Sequence, residues 1–465
     1  MTTDQLQCPR WLLAIAPAFL CCAVVDTQGS AGLITVRQRE NPATVDGPAP
    51  GSVTTDGRLV AFTSLARLDP ADTDDSPDLY TLEVETGRVV LESRRPGWAN
   101  RYSSISYPRI SDDGRFIVFQ AFAEDARHDQ EYQWQVVRLD RRVAAATLVS
   151  VDRTGRPANG HCTHAAISAD GRTVAFTSSG TNLVAGGDAN GSTEDIYLAQ
   201  EDQRGVSRIN VGNTGAQPPS GYSVTPAVSA DGRYVAFTSM ADLTCSGSIA
   251  CPARSTPRTR RTEVYVHDTF AGITFPVSRP RGGRAPNGHA SWPSISGDGR
   301  YVAFASEGSN LVTADDNRQA DVFVHDRLTG AISLVSRRRD GRPGDGASRH
   351  PSISRDGGRV AFQSLASDLV CGPRCRPGDG ELNMLWDVFL FDRLSEGMVR
   401  VSGDGAEEWM EPSRGPALNG AGNVVIFASP HPIHAGDDGY DEDLYVRTIH
   451  TIERATWPTL LERAP

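Results

Sequence analysis

The chain reads as an all-β protein folded as a β-propeller, and three observations predict it. A stretch close to Ser-x-Asp-Gly-Arg-x-Val-Ala-Phe returns seven times, at 54–62, 111–119, 168–176, 229–237, 296–304, 354–362 and 419–427. Its aspartates, Asp56, Asp113, Asp170, Asp231, Asp298 and Asp356, lie 57 to 67 residues apart, and the seventh copy has Ala421 in that place. That is the spacing of a repeat array, and units filled with short strand-like runs mean blades rather than a helical solenoid. Finally, 45 Gly and 29 Pro supply frequent turns, and no long amphipathic helical pattern appears.

Unit five is the cleanest copy. Residues 293–296 form a short strand, and Gly297-Asp-Gly-Arg300 is a hairpin turn whose glycines supply positive φ. Residues 301–306 form a second strand, with the consecutive apolar residues of a sheet buried on both faces. After a loop at 307–320, strands at 321–326 and 331–336 flank a second turn, Arg327-Leu-Thr-Gly330. Four strands in a meander make one blade, which hides both apolar faces only when stacked between two others.

Seven blades is the direct count, with six or eight as the neighbouring counts. Leu33-Ile-Thr-Val36 resembles a fourth strand with no blade of its own. It and the tail at 451–457 compete to close the ring on the last blade, which would remove exposed sheet edges.

These residues resemble the TolB-like propeller repeat of bacterial exported proteins. The likeness rests on the repeated run together with Asn-Leu-Val at 310–312 and Asp-Val-Phe-Val-x-Asp at 321–326, and extends over roughly residues 33 to 460. It implies a bare propeller in the envelope. TolB itself carries an α/β domain before six blades; this chain has no room for that domain and counts a further blade, so TolB's own partners do not carry over.

The domain plan is a signal peptide at 1–31 and one propeller domain at 32–465. The apolar run at 11–25 follows Arg10, and small residues Gly29, Ser30 and Ala31 offer a cleavage site. The run is short for a membrane span, and export with cleavage is favoured over a lipid anchor on Cys21 or Cys22. The expected location is periplasmic or extracellular. A formal charge of −11 with mixed signs excludes a dedicated nucleic-acid binder, which needs a concentrated basic face. Cys245 with Cys251, and Cys371 with Cys375, read as local disulfides stapling long loops, in preference to one shared zinc site. Cys162 is left as a small buried hydrophobe.

In such a meander the loops between second and third strands share a face with the connections between blades, and the tight turns share the other. Function is expected on the long-loop face. The first candidate there is an acidic loop: Asp72, Asp74 and Asp78 in unit one; Asp188, Asn190 and Asp195 in unit three; Asp315, Asn317 and Asp321 in unit five; Asp437, Asp441 and Asp443 in unit seven. Oxygen side chains at alternate positions suit calcium, although no unit has the glycine and distal glutamate of an EF-hand. The competing reading is that these side chains cap their own turns. The second candidate is the channel mouth. Four residues before the strand serine stand Tyr107, His164, Thr225, Trp292 and His350, and three residues earlier His161 matches His289. Equivalent positions in a ring point to a common axis, where histidines bind metals, move protons or simply hydrogen-bond nearby backbone. The third is an aromatic face of Trp98, Tyr102, Tyr222, Trp292 and Trp409 with nearby arginines, residue types enriched in binding hot spots.

These features lead to a non-catalytic, monomeric, exported scaffold binding an envelope protein or glycan, with no certain cofactor beyond a possible calcium. The alternative is a lyase or metal-dependent hydrolase using the channel histidines. No Gly-x-Ser-x-Gly elbow occurs.

Overall fold

The computed structural model describes residues 33–36, 51–73, 76–93, 102–123, 133–218, 220–243, 261–279, 285–313, 315–370, 385–402, 412–430 and 443–449. The leader at 1–31, all four loop cysteines, Trp98, Trp409, Asp74, Asp437, Asp441 and the tail at 451–457 lie outside them. Among the described residues no helix is long and apolar enough to cross a membrane.

Seven antiparallel four-stranded sheets form the propeller, each taking its strands in chain order except the last. In blade five the strands are Ala290–Ile295, Tyr301–Ser306, Asp321–Asp326 and Ala331–Leu334. The first begins three residues earlier than the sequence suggests, and the second and third match it. In the seventh sheet Arg414–Leu418, Val424–Ser429 and Asp443–Thr448 are joined by Leu33–Val36 as outermost strand. The register is Leu33 opposite Arg447 and Val36 opposite Leu444. The N-terminal strand therefore closes the ring.

The Val-Ala-Phe segment explains why blades stack. Alternate side chains on a strand point to opposite faces. Thus Val302 and Phe304 pack towards blade four while Ala303 packs towards blade six. Every neighbouring pair of blades shares such an apolar cluster, including blades seven and one, where Phe62 and Tyr80 meet Ile426 and Leu444. Six of these second-strand phenylalanines face an aromatic ring on the third strand, with centroids 5.3 to 6.2 Å apart. Dispersion and offset ring contacts hold each sheet from within.

The tight turn is a repeated hydrogen-bond unit. In blade five Ser296 Oγ donates to Asp298 Oδ1 (2.6 Å), and Asp298 Oδ1 also accepts from Arg300 N (2.9 Å). Gly299 sits at φ 69°, where a Cβ would run into the Tyr234 ring of the preceding blade. Arg300 forks onto Asp326 at the end of the third strand (Nε 2.9 Å, Nη2 2.8 Å). Those bonds hold the Asp326 carboxyl down to about 2. The acid opening each third strand is likewise structural: Asp321 accepts from Ser336 Oγ, and Asp387 from Ser402 Oγ.

The residue after the strand serine links the blades around the axis. Backbone bonds run Asp112 N to Ala169 O, Ala169 N to Ala230 O, Ala230 N to Gly297 O, Gly297 N to Arg355 O and Arg355 N to Gly420 O, each 2.8 to 3.0 Å. Ala421 N then donates to Thr55 O. Only two members of this circle carry long charged side chains, and they pair: the Arg355 guanidinium of blade six donates to the Asp112 carboxylate of blade two. Because those blades are not neighbours, the bridge spans the circle at the tight-turn end.

Candidate functional site

Each first strand is the inner edge of its blade, and in blades two to seven its register with the second strand slips, at one place in blades three to seven and at two in blade two. The slip is a bulge, a feature that re-aims a side chain. Its central residue has a left-handed backbone in every one of these blades: Tyr107 (φ 51°), His164 (51°), Thr225 (54°), Trp292 (56°), His350 (52°) and Gly415 (64°). Proline follows in five of the six, at Pro108, Pro226, Pro293, Pro351 and Pro416. A residue without N–H fits there because an inner edge facing the channel has no ladder partner.

Glycine is the residue that takes this conformation without strain, and only blade seven uses it. The other five place large or β-branched side chains where each costs of order 1–3 kcal/mol of backbone strain. Together they rim a cavity of about 290 Å3 on the channel axis. Trp292 and His350 of adjacent blades meet at a 39° tilt with centroids 4.3 Å apart, and Tyr107 and His164 stand 6.0 Å apart. Thr225 Oγ1 lies 3.0 Å from Thr238 Oγ1. The bulge's freed N–H groups are met by glutamines of the preceding blades: His164 N donates to Gln120 Oε1, and Gly415 N to Gln363 Oε1.

Two residues deeper, the wall is small in the other copies (Ser52, Ala166, Ala227, Ser294, Ser352, Ala417) and Arg109 in blade two. Three of the serines tie neighbouring blades, accepting from Ile110 N, Ile353 N and Leu418 N. Arg109 brings the one arginine or lysine among the described lining residues. Loss of water holds its pKa down to about 10. Burial, and then the charge of Arg109, hold His164 down to about 4, so that imidazole is neutral at physiological pH. Sequence reasoning missed Arg109; the signal was a single long cation where six other copies place serine or alanine.

The remaining candidates separate. His161 and His289 lie outside this rim, and both are exposed. His161 Nδ1 accepts from Trp134 N of blade two (3.2 Å), and His289 Nδ1 from Thr262 N of blade four (3.2 Å). Tyr222 is half-buried beside the first strand of blade four. Cys162 is fully buried, its thiol pushed up to about 12 by that burial. Among the described residues no group of three or more His, Cys, Asp or Glu is placed to hold a metal.

The acidic loops differ from one another. In blade three Asp188, Asn190 and Asp195 are gathered round internal groups: Gln217 Nε2 lies 2.6, 2.6 and 2.9 Å from one oxygen of each. Arg208 Nε stands 3.0 Å from Asp195, and Arg208 Nη2 3.7 Å from Asp188. In blade one Asp72 accepts from the Tyr80 hydroxyl (2.5 Å) and Asp78 from Ser93 Oγ. In blade five Asn317 Nδ2 donates to Asp321 (2.8 Å) and to Gly344 O of the next connection (2.9 Å). Asp443 of blade seven is buried at the start of its strand.

Fold and repeat together define the chain's class, a seven-bladed β-propeller. No protein-family model matches it, and no curated protein matches it by sequence. Solved structures do match in fold. An oligogalacturonate lyase in complex with manganese is 12% identical over 90% of this chain and 94% of its own, with a TM-score of 0.51. The oligogalacturonate lyase of Vibrio parahaemolyticus is 12% identical over 90% and 91%, with a TM-score of 0.50. TolB from Acinetobacter baumannii is 16% identical over 73% of this chain, which spans 62% of that protein, with a TM-score of 0.39. At such identities the likeness establishes the fold and nothing finer.

Proposed function

We propose that this chain is an exported, non-catalytic binding module that takes one end of an envelope ligand, a glycan first and a protein segment second, into the pit at its axis. The observation that carries this reading is the strained ring. Five non-glycine residues hold left-handed backbone at one repeated bulge, and strain of that kind gathers where a protein presents side chains for use. The bulge itself belongs to the scaffold because it recurs; the side chains on it vary from blade to blade, as the contents of a site do. Trp292 and Tyr107 offer flat apolar surface, while Thr225, His350 and Arg109 offer polar partners. This mix of apolar wall and few polar groups is usual for ligand pockets, and the volume lies at their small end. The Arg355–Asp112 bridge across the far end favours entry of the ligand from the loop side. The N-terminal leader pattern supports export.

The test is binding of wild type, Trp292→Ala and Arg109→Met to fractionated envelope glycans, with product analysis in the same tubes. Retention by wild type and a tenfold or greater loss in both variants is expected. Turnover, seen as shortened or unsaturated products, would replace this reading with an enzyme acting on saccharides, the activity named for the two lyases of like fold. Retention of an envelope protein alone would move the ligand class to protein.

A further inference from the structure

The loop of blade five differs from its relatives in a way that points to a cation. Asp315 occupies the place of Asp72 in blade one, six residues ahead of the acid that opens the third strand. Asp72 receives the Tyr80 hydroxyl, and in blade three the Tyr197–Arg208 cross-strand pair brings a guanidinium to Asp188 and Asp195. The matching cross-strand pair in blade five is Phe323–Leu334, which has neither hydroxyl nor positive charge. Asp315 is nevertheless buried, 9% exposed, and its Oδ1 has no hydrogen-bond partner. A buried polar atom left without a partner is costly, more so when charged, so a native site supplies one.

From this contrast we infer that blade five binds one calcium ion, between the Asp315 and Asp321 carboxylates, with the Asn317 amide and loop carbonyls as neutral oxygens. Asp321, six residues on at the start of the third strand, is fully buried as well. A cation between them relieves both. Asp316 beside them is exposed, so the site offers two buried carboxylates with neutral oxygens as its other donors, which suits a hard ion with loose geometry and not a nitrogen- or thiolate-bound metal. Asn317 already ties this loop to Gly344 in the connection to blade six, so the ion would pin the loop beside the mouth of the pit.

Equilibrium dialysis of the full chain against calcium chloride, with elemental analysis, reads the stoichiometry; a thermal melt with calcium or with chelator reads the coupling to folding. One ion per chain and a midpoint raised by a few degrees are expected. Asp315→Asn should abolish both. The double variant Phe323→Tyr, Leu334→Arg, which installs the blade-three pair, should also lose the ion while melting no lower than chelated wild type. Asp72→Asn should leave the stoichiometry at one. The inference is overturned if wild type takes up no calcium at millimolar concentration, or if Asp315→Asn still binds one ion per chain.

Discussion

The two ends of the channel are built on opposite rules. At the tight-turn end nearly every blade contributes the same serine, aspartate and positive-φ glycine, and backbone bonds lace the blades together. At the loop end the bulged backbone repeats in blades two to seven, yet five residue types share its six places. What recurs with its side chain serves the blade; what recurs only as backbone is a socket for varied contents.

Gly299→Ala should break the uniform end most severely. A Cβ at φ 69° against the Tyr234 ring is strained and has nowhere to go, and a loss of about 3 kcal/mol is expected in urea unfolding. Trp292→Ala sharpens the contrast from the other side: binding falls tenfold or more while stability drops by about 1–2 kcal/mol, because the ring is half-exposed and its tilted contact with His350 is lost. Thr225→Gly should do what no change at the tight-turn end can, namely stabilise. Relief of a β-branched residue at φ 54° outweighs the lost Thr238 contact by about 1 kcal/mol, read as a higher midpoint. The smallest effect belongs to Arg355→Ala. Its side chain and that of Asp112 are 45% and 34% exposed, so the cross-channel pair contributes less than about 1 kcal/mol, screened further by salt.

Within the loop end, blades three and five make a second comparison, which pH sharpens. Asp315 and Asp321 titrate above the ordinary carboxylate range in the fold. Their contribution is therefore fully present below about pH 4 and is lost as pH rises through about 6 to 7. Chelated protein should lose stability over that window, and Asp315→Asn should lose less. His164, held below its ordinary value, acts oppositely: its contribution is present above about pH 6.5 and is lost as pH falls towards 4. The difference between wild type and Asp315→Asn isolates the carboxylates.

The ring, its blade count and most strand limits were legible because seven copies of one run agree on period, turn chemistry and apolar alternation. Alignment from the strand serine also brought Tyr107, His164, Thr225, Trp292 and His350 to one level. Their left-handed backbone was not legible, since a φ angle leaves no mark in composition; the proline following most of them hinted only at an irregular strand. The internal cation of blade three was missed because Arg208 comes from the fourth strand, outside the loop whose acids it meets. Asp112 and Arg355 were hidden in a variable position, although the other members of that circle are all threonine, alanine or glycine.

Borrowing the outermost strand of the last blade from residues 33–36 has a consequence for synthesis. A chain growing from its N-terminus can stack blades one to six as they emerge, but Asp443–Thr448 finds Leu33–Val36 only after all seven blades have been made. Until then that short strand has no native partner and blade one lacks blade seven beside it. The clasp is the final long-range contact, and the interval before it fastens is when the nascent polypeptide is most exposed to aggregation and proteases.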